Sequence, residues 1–300
     1  MRSSLIYRVF WLCLFFCACE GRESAQLASP KELAHLYCGS CHLFPKPELL
    51  PKSAWLSVLP RMGARMGIQS PEFNPYAKTS MQEAYILKSA LIYPESPTLP
   101  DSLWRSIQAY FLEQAPDSLN VPAFPALAKS DLFRSHFPQL NLPGPPSITL
   151  LEYEAKEKLL YLSDWKGNMI RYEKNFVRKD NTVLPKPVVD IELSEGGNPR
   201  LLSIGNLYPR ESISGALVEI QEGDLDKQSL LFDQLSRPVY FISTDIDGDE
   251  QEYFIVCAFG NQLGSLLWYE RKDKGFTKYV LKDVPGATRV YADDLDDNGF

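Results

Sequence analysis

The second half of the chain contains an internal repeat. The segment from Gly167 to Glu173 returns in similar form from Gly264 to Glu270, 97 residues later. A second motif begins at Asp245 and returns at Asp294, 49 residues later, about half that distance. One unit of 48 or 49 residues fits both spacings. Such a unit holds four short strands, which is the period of a propeller blade rather than of a helical repeat.

Short apolar runs separated by turn residues support the same interpretation. They predict strands over Ile148–Tyr153, Lys158–Leu162 and Met169–Tyr172. A degenerate copy of the repeat is expected around residues 201–220, with Asn206 where an acidic loop would begin. The sequence stops inside the repeat at Phe300, so we expect an incomplete propeller that belongs to a longer protein.

Two acidic loops accompany the repeat. Alternating carboxylates with a glycine at the bend converge oxygen ligands on one point, as calcium loops do. The pattern resembles the DxDxDG motifs of VCBS or FG-GAP repeat propellers, and this resemblance implies calcium. The implied ligands are Asp245, Asp247, Asp249, Asp294, Asp296 and Asn298. The family's later acidic ligand falls on Tyr253, so the first loop departs from the pattern. A hydrogen-bonded Asx turn without metal is the alternative.

The first half of the chain is marked by the motif Cys38-Gly39-Ser40-Cys41-His42. Covalent haem attachment requires two thiols, each of which adds to a haem vinyl group, and a following histidine that ligates the iron. A thioredoxin-like pair would need a βαβ context, and a zinc site would need two further ligands at suitable spacing. We therefore predict one covalent haem c held by Cys38, Cys41 and His42. We expect the Pro45 carbonyl to accept the histidine ring N–H.

Helical patterns flank this motif. Ser29-Pro30-Lys31-Glu32 is a capping box before a helix that delivers Cys38, and residues 101–112 carry apolar residues at helical spacing. The arrangement resembles the first and last helices of cytochromes c. The resemblance implies a small all-α cytochrome c domain over residues 29–116. The predicted fold class is therefore multidomain, with this all-α domain followed by an all-β propeller over residues 148–300.

The sixth iron ligand is expected from residues 55–66. Trp55, Leu59 and Met62 resemble the spacing of several small bacterial cytochromes c, and this resemblance implies Met62 as the ligand. Met66 and Met81 stay open, as does a plain packing role for any of these methionines.

The N-terminal residues predict export. Arg2 and Arg8 flank the start of an apolar run over residues 9–18, which is too short to span a membrane but suits a signal peptide. Phe16-Cys17-Ala18-Cys19 resembles a bacterial lipobox and implies lipidation of Cys19. A signal peptide would thus cover residues 1–18 and a tether residues 19–28, with a proline-rich linker over residues 117–147. The alternative is an ordinary signal peptide with a chance cysteine.

The charge of the chain bears on its partners, and its cysteine content bears on disulfide bonds. The formal net charge is −7 and the sequence has no basic patch, which excludes nucleic acid as a partner. Cys257, in the apolar run from Tyr253 to Phe259, is the one cysteine outside the signal and haem segments, so we predict no disulfide.

These features predict an exported electron-transfer protein in the periplasm or at the cell surface, anchored as an outer-membrane lipoprotein of a Gram-negative bacterium. The sequence does not name its redox partner. One alternative is a periplasmic dehydrogenase whose propeller holds the oxidation site and whose haem exports the electrons. Another is a calcium-stabilised propeller that binds a carbohydrate or a protein in adhesion. No acid/base or nucleophile constellation stands out, which favours an electron carrier over a catalyst.

Overall fold

The computed structural model describes residues 28–120, 122–123, 132, 134, 147–193, 197–249, 251–272 and 275–294. The α-helices in this part of the chain are α1 (Pro30–Cys38), α2 (Lys52–Arg65), α3 (Met81–Ser89) and α4 (Asp101–Gln114). The strands are β1 (Ile148–Glu154), β2 (Leu159–Asp164), β3 (Asn168–Tyr172), β4 (Arg178–Val183), β5 (Val188–Glu192), β6 (Arg200–Ser203), β7 (Gly215–Gln221), β8 (Asp224–Leu235), β9 (Pro238–Thr244), β10 (Tyr253–Ala258), β11 (Ser265–Lys272) and β12 (Gly275–Lys282).

The strands form three four-stranded antiparallel sheets. Each sheet takes four consecutive strands in chain order, β1 to β4, β5 to β8 and β9 to β12. The first strands are neighbours, because β5 contacts β1 on one side and β9 on the other. Four-stranded meanders that stack through their first strands are the blades of a propeller. The predicted propeller is therefore confirmed at the level of its blades.

Apolar side chains fill the spaces between successive sheets. Met169, Val188 and Leu201 belong to the cluster that joins the first and second sheets. Phe232 and Phe254 belong to the cluster that joins the second and third. The 97-residue repeat places β3 and β11 at the same position, since each is the third strand of its sheet. The predicted repeat thus matches the observed strand order.

The degenerate copy of the repeat was placed wrongly. Asn206 follows β6 and precedes β7, whereas the acidic loop that begins at Asp245 connects the first and second strands of its sheet. The corresponding connection in the second sheet is residues 193–199, of which 194–196 are not described. A step of 49 residues back from Asp245 reaches residue 196, which lies in this connection, so the error was the choice of Asn206, ten residues further along the chain.

The predicted fold class is wrong. The described residues are mostly β structure with four short α-helices and three antiparallel sheets, and the four helices do not together form one small all-α domain. One compact unit combines the segments Met1–Asn74 and Pro94–Pro125, and the other combines Pro75–Tyr93 with Ala126–Phe300. Helix α3 therefore belongs to the unit that contains the sheets. The expectation assigned all helices to one domain because local helical patterns carry no information on what each helix packs against.

The unit that holds α1, α2 and α4 has its own apolar core. Trp55 and Leu59 of α2 pack with Ile107 and Phe111 of α4, and all four side chains are almost fully buried. Cys38 at the end of α1 belongs to the same cluster. The Trp55 indole N–H donates to the carbonyl of Pro47 at 2.8 Å, which satisfies its buried polar atom.

Candidate functional site

The two thiols of the CxxCH motif lie in different environments. Ser29 and Glu32 form the predicted capping box at the start of α1, and the helix ends where Gly39 N–H donates to the His35 carbonyl at 3.1 Å. Cys38 is the last residue of the helix and is 5% exposed, whereas Cys41, after the turn, is exposed. Both thiols are free. The helix end therefore brings one sulfur to the core surface and presents the other to solvent.

The pKa of Cys38 distinguishes this pair from that of a thiol–disulfide catalyst. Burial, with a smaller contribution from the neighbouring Cys41, raises the pKa of the Cys38 thiol to about 11. A redox-active pair needs a thiolate stabilised at neutral pH, which this environment disfavours. Cys38 is instead a protonated thiol beside an apolar core.

His42 is exposed, and its ring is held by the backbone. Its Nδ1 lies 2.8 Å from the carbonyl oxygen of Leu43, so Nδ1–H donates to that oxygen when the ring is neutral. The prediction that the Pro45 carbonyl accepts this hydrogen bond is wrong, because the carbonyl of Leu43, the residue directly after His42, already contacts the ring. With Nδ1 bonded in this way, Nε2 carries the lone pair that a metal ligand requires.

The candidate methionines differ in their surroundings. Met62 and Met66 are half-buried and pack against the apolar cluster that includes Cys38. Met81 is 93% exposed on α3 and belongs to the other unit. Met62 as the axial ligand stays a prediction, with Met66 as its nearest rival.

The residues around the motif fit a covalent haem. Two free thiols and an imidazole with its Nδ1 engaged are the donor set that attachment and ligation need. Leu43, directly after His42, is 94% exposed, and Leu36 on α1 is 65% exposed. Apolar side chains at the surface next to the motif are suited to pack against a porphyrin face. Phe44 stacks on His35 with ring centroids 3.7 Å apart, which orders the segment after the motif.

The first acidic loop brings its carboxylates together between β9 and β10. Ligand oxygens of Asp245, Asp247 and Asp249 all lie within 4.8 Å of one another. Gly248 N–H donates to Asp245 Oδ1 at 2.9 Å, and Gln251 N–H donates to Asp249 Oδ1 at 2.8 Å. The loop thus has the hydrogen bonds of an Asx turn together with oxygens close enough to share a cation. Calcium binding stays a prediction.

Several predicted residues lie outside the described part of the chain. These are Cys19, Asp296 and Asn298, together with the signal peptide and most of the linker. Asp294, the first residue of the second acidic loop, is described and half-buried. Among the described helices, none is both long and apolar enough to cross a bilayer.

Sequence reasoning missed a polar cleft in the unit that contains the sheets. Its volume is about 380 Å³, and it is lined by residues from the segment 75–93, from the β6–β7 loop and from the β10–β11 loop. Glu83 and Glu211 lie in it, 8% and 9% exposed. The Ser80-x-x-Glu83 pattern, a capping box, was the available signal for helix α3. No local pattern indicated that Glu83 would meet Glu211.

Comparison with known proteins does not identify a family. No protein-family model matches the chain, and no curated protein matches it. Among solved structures, the chain is similar to one described as the Dos1 propeller, with 13% identical residues and a TM-score of 0.35. The match covers 47% of this chain and 37% of that chain. The description of the sheets as blades rests on their own topology.

Proposed function

We propose that this chain is an exported, haem-binding electron-transfer protein. Cys38 and Cys41 would hold one haem c through thioether bonds, and His42 would ligate the iron. The observation that supports this proposal most strongly is the His42 ring, whose Nδ1 is bonded to the Leu43 carbonyl beside two free thiols. When bound, haem supplies reversible one-electron chemistry at its iron.

The protein's own residues would tune this site. The Leu43 carbonyl fixes the orientation of the His42 ring and increases the basicity of Nε2. The apolar cluster around Cys38 excludes water from one side of the motif, and a dry environment shifts a reduction potential. Met62 is proposed as the second axial ligand, which would raise the potential relative to two histidines.

The three sheets would act as a docking or binding scaffold, with VCBS or FG-GAP-like acidic loops that take calcium. Lipidation at Cys19 would tether the chain to the outer membrane. The charge of −7 favours a basic redox partner through attraction that weakens as salt is added.

The test is a reduced-minus-oxidised spectrum with a pyridine haemochrome assay on the full-length protein, made in a host that matures c-type cytochromes. We expect covalent haem in the wild type. Cys41→Ala should lose one thioether, which shifts the haemochrome band, and His42→Ala should lose the low-spin spectrum. Cys257→Ala, which removes a fully buried cysteine of β10, is the matched control and should keep the wild-type spectrum.

The same spectra decide the axial ligand and can overturn the proposal. Met62→Leu should remove the methionine-to-iron charge-transfer band, whereas Met66→Leu should keep it. Wild-type protein without covalent haem, from a host that matures a control cytochrome, would refute the haem proposal. A normal covalent spectrum in both Cys41→Ala and His42→Ala would refute it as well.

A further inference from the structure

The polar cleft in the unit of the sheets is formed by three separate segments. One is the segment that carries α3, and the others are the β6–β7 and β10–β11 loops. Both loops connect the second and third strands of neighbouring sheets, so they lie at the same end of the blades. We refer to this site, of about 380 Å³, as the helix–loop cleft. Its volume lies in the range of small-molecule sites.

Two buried carboxylates hold the floor of the helix–loop cleft in place. Glu83 Oε2 accepts from Ser80 N–H at 3.0 Å, and its Oε1 accepts from Glu211 N–H at 3.2 Å. The Glu211 carboxylate accepts from the Asn261 side-chain amide and from Gln262 N–H, both at 2.8 Å. Because each carboxylate bridges two segments, the polar atoms of the floor are fixed before any ligand arrives.

Arg237 fixes the same two loops through their carbonyl groups. Its guanidinium donates to the Leu207 carbonyl at 3.1 Å and to the Gly260 carbonyl. Two side chains therefore join the β6–β7 and β10–β11 loops. Glu211 accepts from N–H groups, and Arg237 donates to C=O groups. Because these loops are already ordered, little conformational entropy is lost when a ligand binds to them.

The rim supplies aromatic surface. Tyr208 is 64% exposed, and its backbone N–H donates to Asn206 Oδ1 at 3.1 Å in an Asx turn that Pro209 follows. Tyr93 lines the same cleft and packs edge-on against Tyr76, with ring centroids 5.8 Å apart. Tyrosine rings at such a rim offer a flat apolar face with a polar tip.

The charges of the cleft balance. Among the lining residues, the acidic side chains are Glu83 and Glu211, and the basic ones are the exposed Lys78 and Arg210. Hydrogen bonding to the Ser80 backbone lowers the pKa of Glu83 against the raising effect of burial, and the charge of Arg210 adds a small further lowering. Both carboxylates would repel an anion, and both basic side chains would repel a cation. The cleft therefore favours a neutral ligand with many hydroxyl groups.

We propose that the helix–loop cleft binds the end of a neutral carbohydrate, one or two sugar rings in size. The C–H face of one ring would stack on Tyr208. Its hydroxyls would donate to the Glu83 and Glu211 carboxylates and accept from Lys78 and Arg210. The site is independent of the proposed haem function, since all of its residues lie in the other unit.

The test is calorimetric titration of the full-length protein with maltose, cellobiose, lactose and chitobiose. We expect at least one of these neutral disaccharides to bind. Tyr208→Ala should weaken that binding at least tenfold. Tyr85→Ala is the matched control, because Tyr85 is 73% exposed on α3 and does not line the cleft. Its affinity should equal that of the wild type.

Two outcomes would overturn the proposal. One is that none of the four disaccharides binds, and the other is that Tyr208→Ala and Tyr85→Ala bind sugar equally well. Titration with inorganic phosphate and with spermidine tests the charge argument, since tighter binding of either ion at this cleft would also refute a neutral-sugar site. His42→Ala should leave sugar affinity unchanged, which keeps failure of the haem proposal distinguishable from failure of this one.

Discussion

Asp190, on β5, makes the stability of the fold depend on pH, and one substitution can remove this dependence. Its Oδ2 accepts from Phe241 N–H of β9 at 2.9 Å, so it links the first strands of two sheets. Burial raises the pKa of Asp190 to about 6, against the lowering effects of its backbone hydrogen bonds and of Arg289. Glu152 adds a small further increase in this pKa. The ionised form is therefore destabilised in the folded chain.

The sign of the effect follows from proton binding. Between the unfolded pKa near 3.8 and the folded pKa near 6, the folded state holds more protons than the unfolded state. The stabilisation of the folded state by the protonated Asp190 is therefore fully present below pH 4 and is lost as the pH rises through 6. A shift of this size corresponds to roughly 3 kcal/mol for a fully buried group. Because Asp190 is only half-buried, we expect about 1 to 2 kcal/mol.

Asp190→Asn keeps an oxygen that can accept from Phe241 N–H but cannot ionise. The variant should equal the wild type near pH 4 and be more stable by about 1 to 2 kcal/mol at pH 7.5. Urea unfolding followed by far-UV circular dichroism, from pH 4 to 8, measures the difference. Other groups such as Glu83, whose pKa is lowered, act in the opposite direction and cancel when the two proteins are compared.

The control is Asp226→Asn, which removes the same charge at an exposed position of β8 and should not reproduce the gain in stability at pH 7.5. A constant difference between Asp190→Asn and the wild type across the pH range would refute the reasoning. A difference that shrinks as the pH rises would refute it as well.

Two further substitutions test the helical unit and the acidic loop. Gly63→Ala places a Cβ 2.9 Å from Cζ2 of Trp104, a side chain that is only 4% exposed and cannot move away freely. Urea unfolding should therefore show a loss of about 1 to 2 kcal/mol in the free energy of unfolding. The control, Ser57→Ala at an exposed position of the same helix, should change it by less than about 0.5 kcal/mol. Millimolar calcium should raise the melting temperature of the wild type by a few degrees but not that of Asp247→Asn, and no calcium effect on the wild type would leave the loop as an Asx turn.

Local sequence signals predicted local structure well. The capping box at Ser29 and Glu32 is present, and the strands predicted from Ile148 onward are observed within a few residues of their expected bounds. The repeat also placed β3 and β11 correctly. These signals succeed because a cap, a strand alternation or a blade period depends on residues close together in the chain.

Non-local packing was not predictable from the same signals. Glu83 and Glu211 are separated by 128 residues, and their hydrogen bond helps to place α3 beside the sheets rather than with the other helices. A capping box says where a helix begins but not which surface it meets. For the same reason, the exposed Met81 was grouped with Met62 and Met66 although it lies in the other unit.

The departure at Tyr253 illustrates how one residue alters the expected role of a motif. In place of a carboxylate, the sequence has a phenol whose hydroxyl lies 3.3 Å from Asp247 Oδ2 and 3.5 Å from Asp249 Oδ2. Burial, followed by the charges of these aspartates, raises the pKa of Tyr253 to about 12, so the hydroxyl keeps its proton and can donate to them. A neutral donor supplies no ligand charge, and affinity for calcium falls as the ligands lose charge. The loop is therefore ordered by hydrogen bonds first, and calcium would add to an existing fold rather than create it.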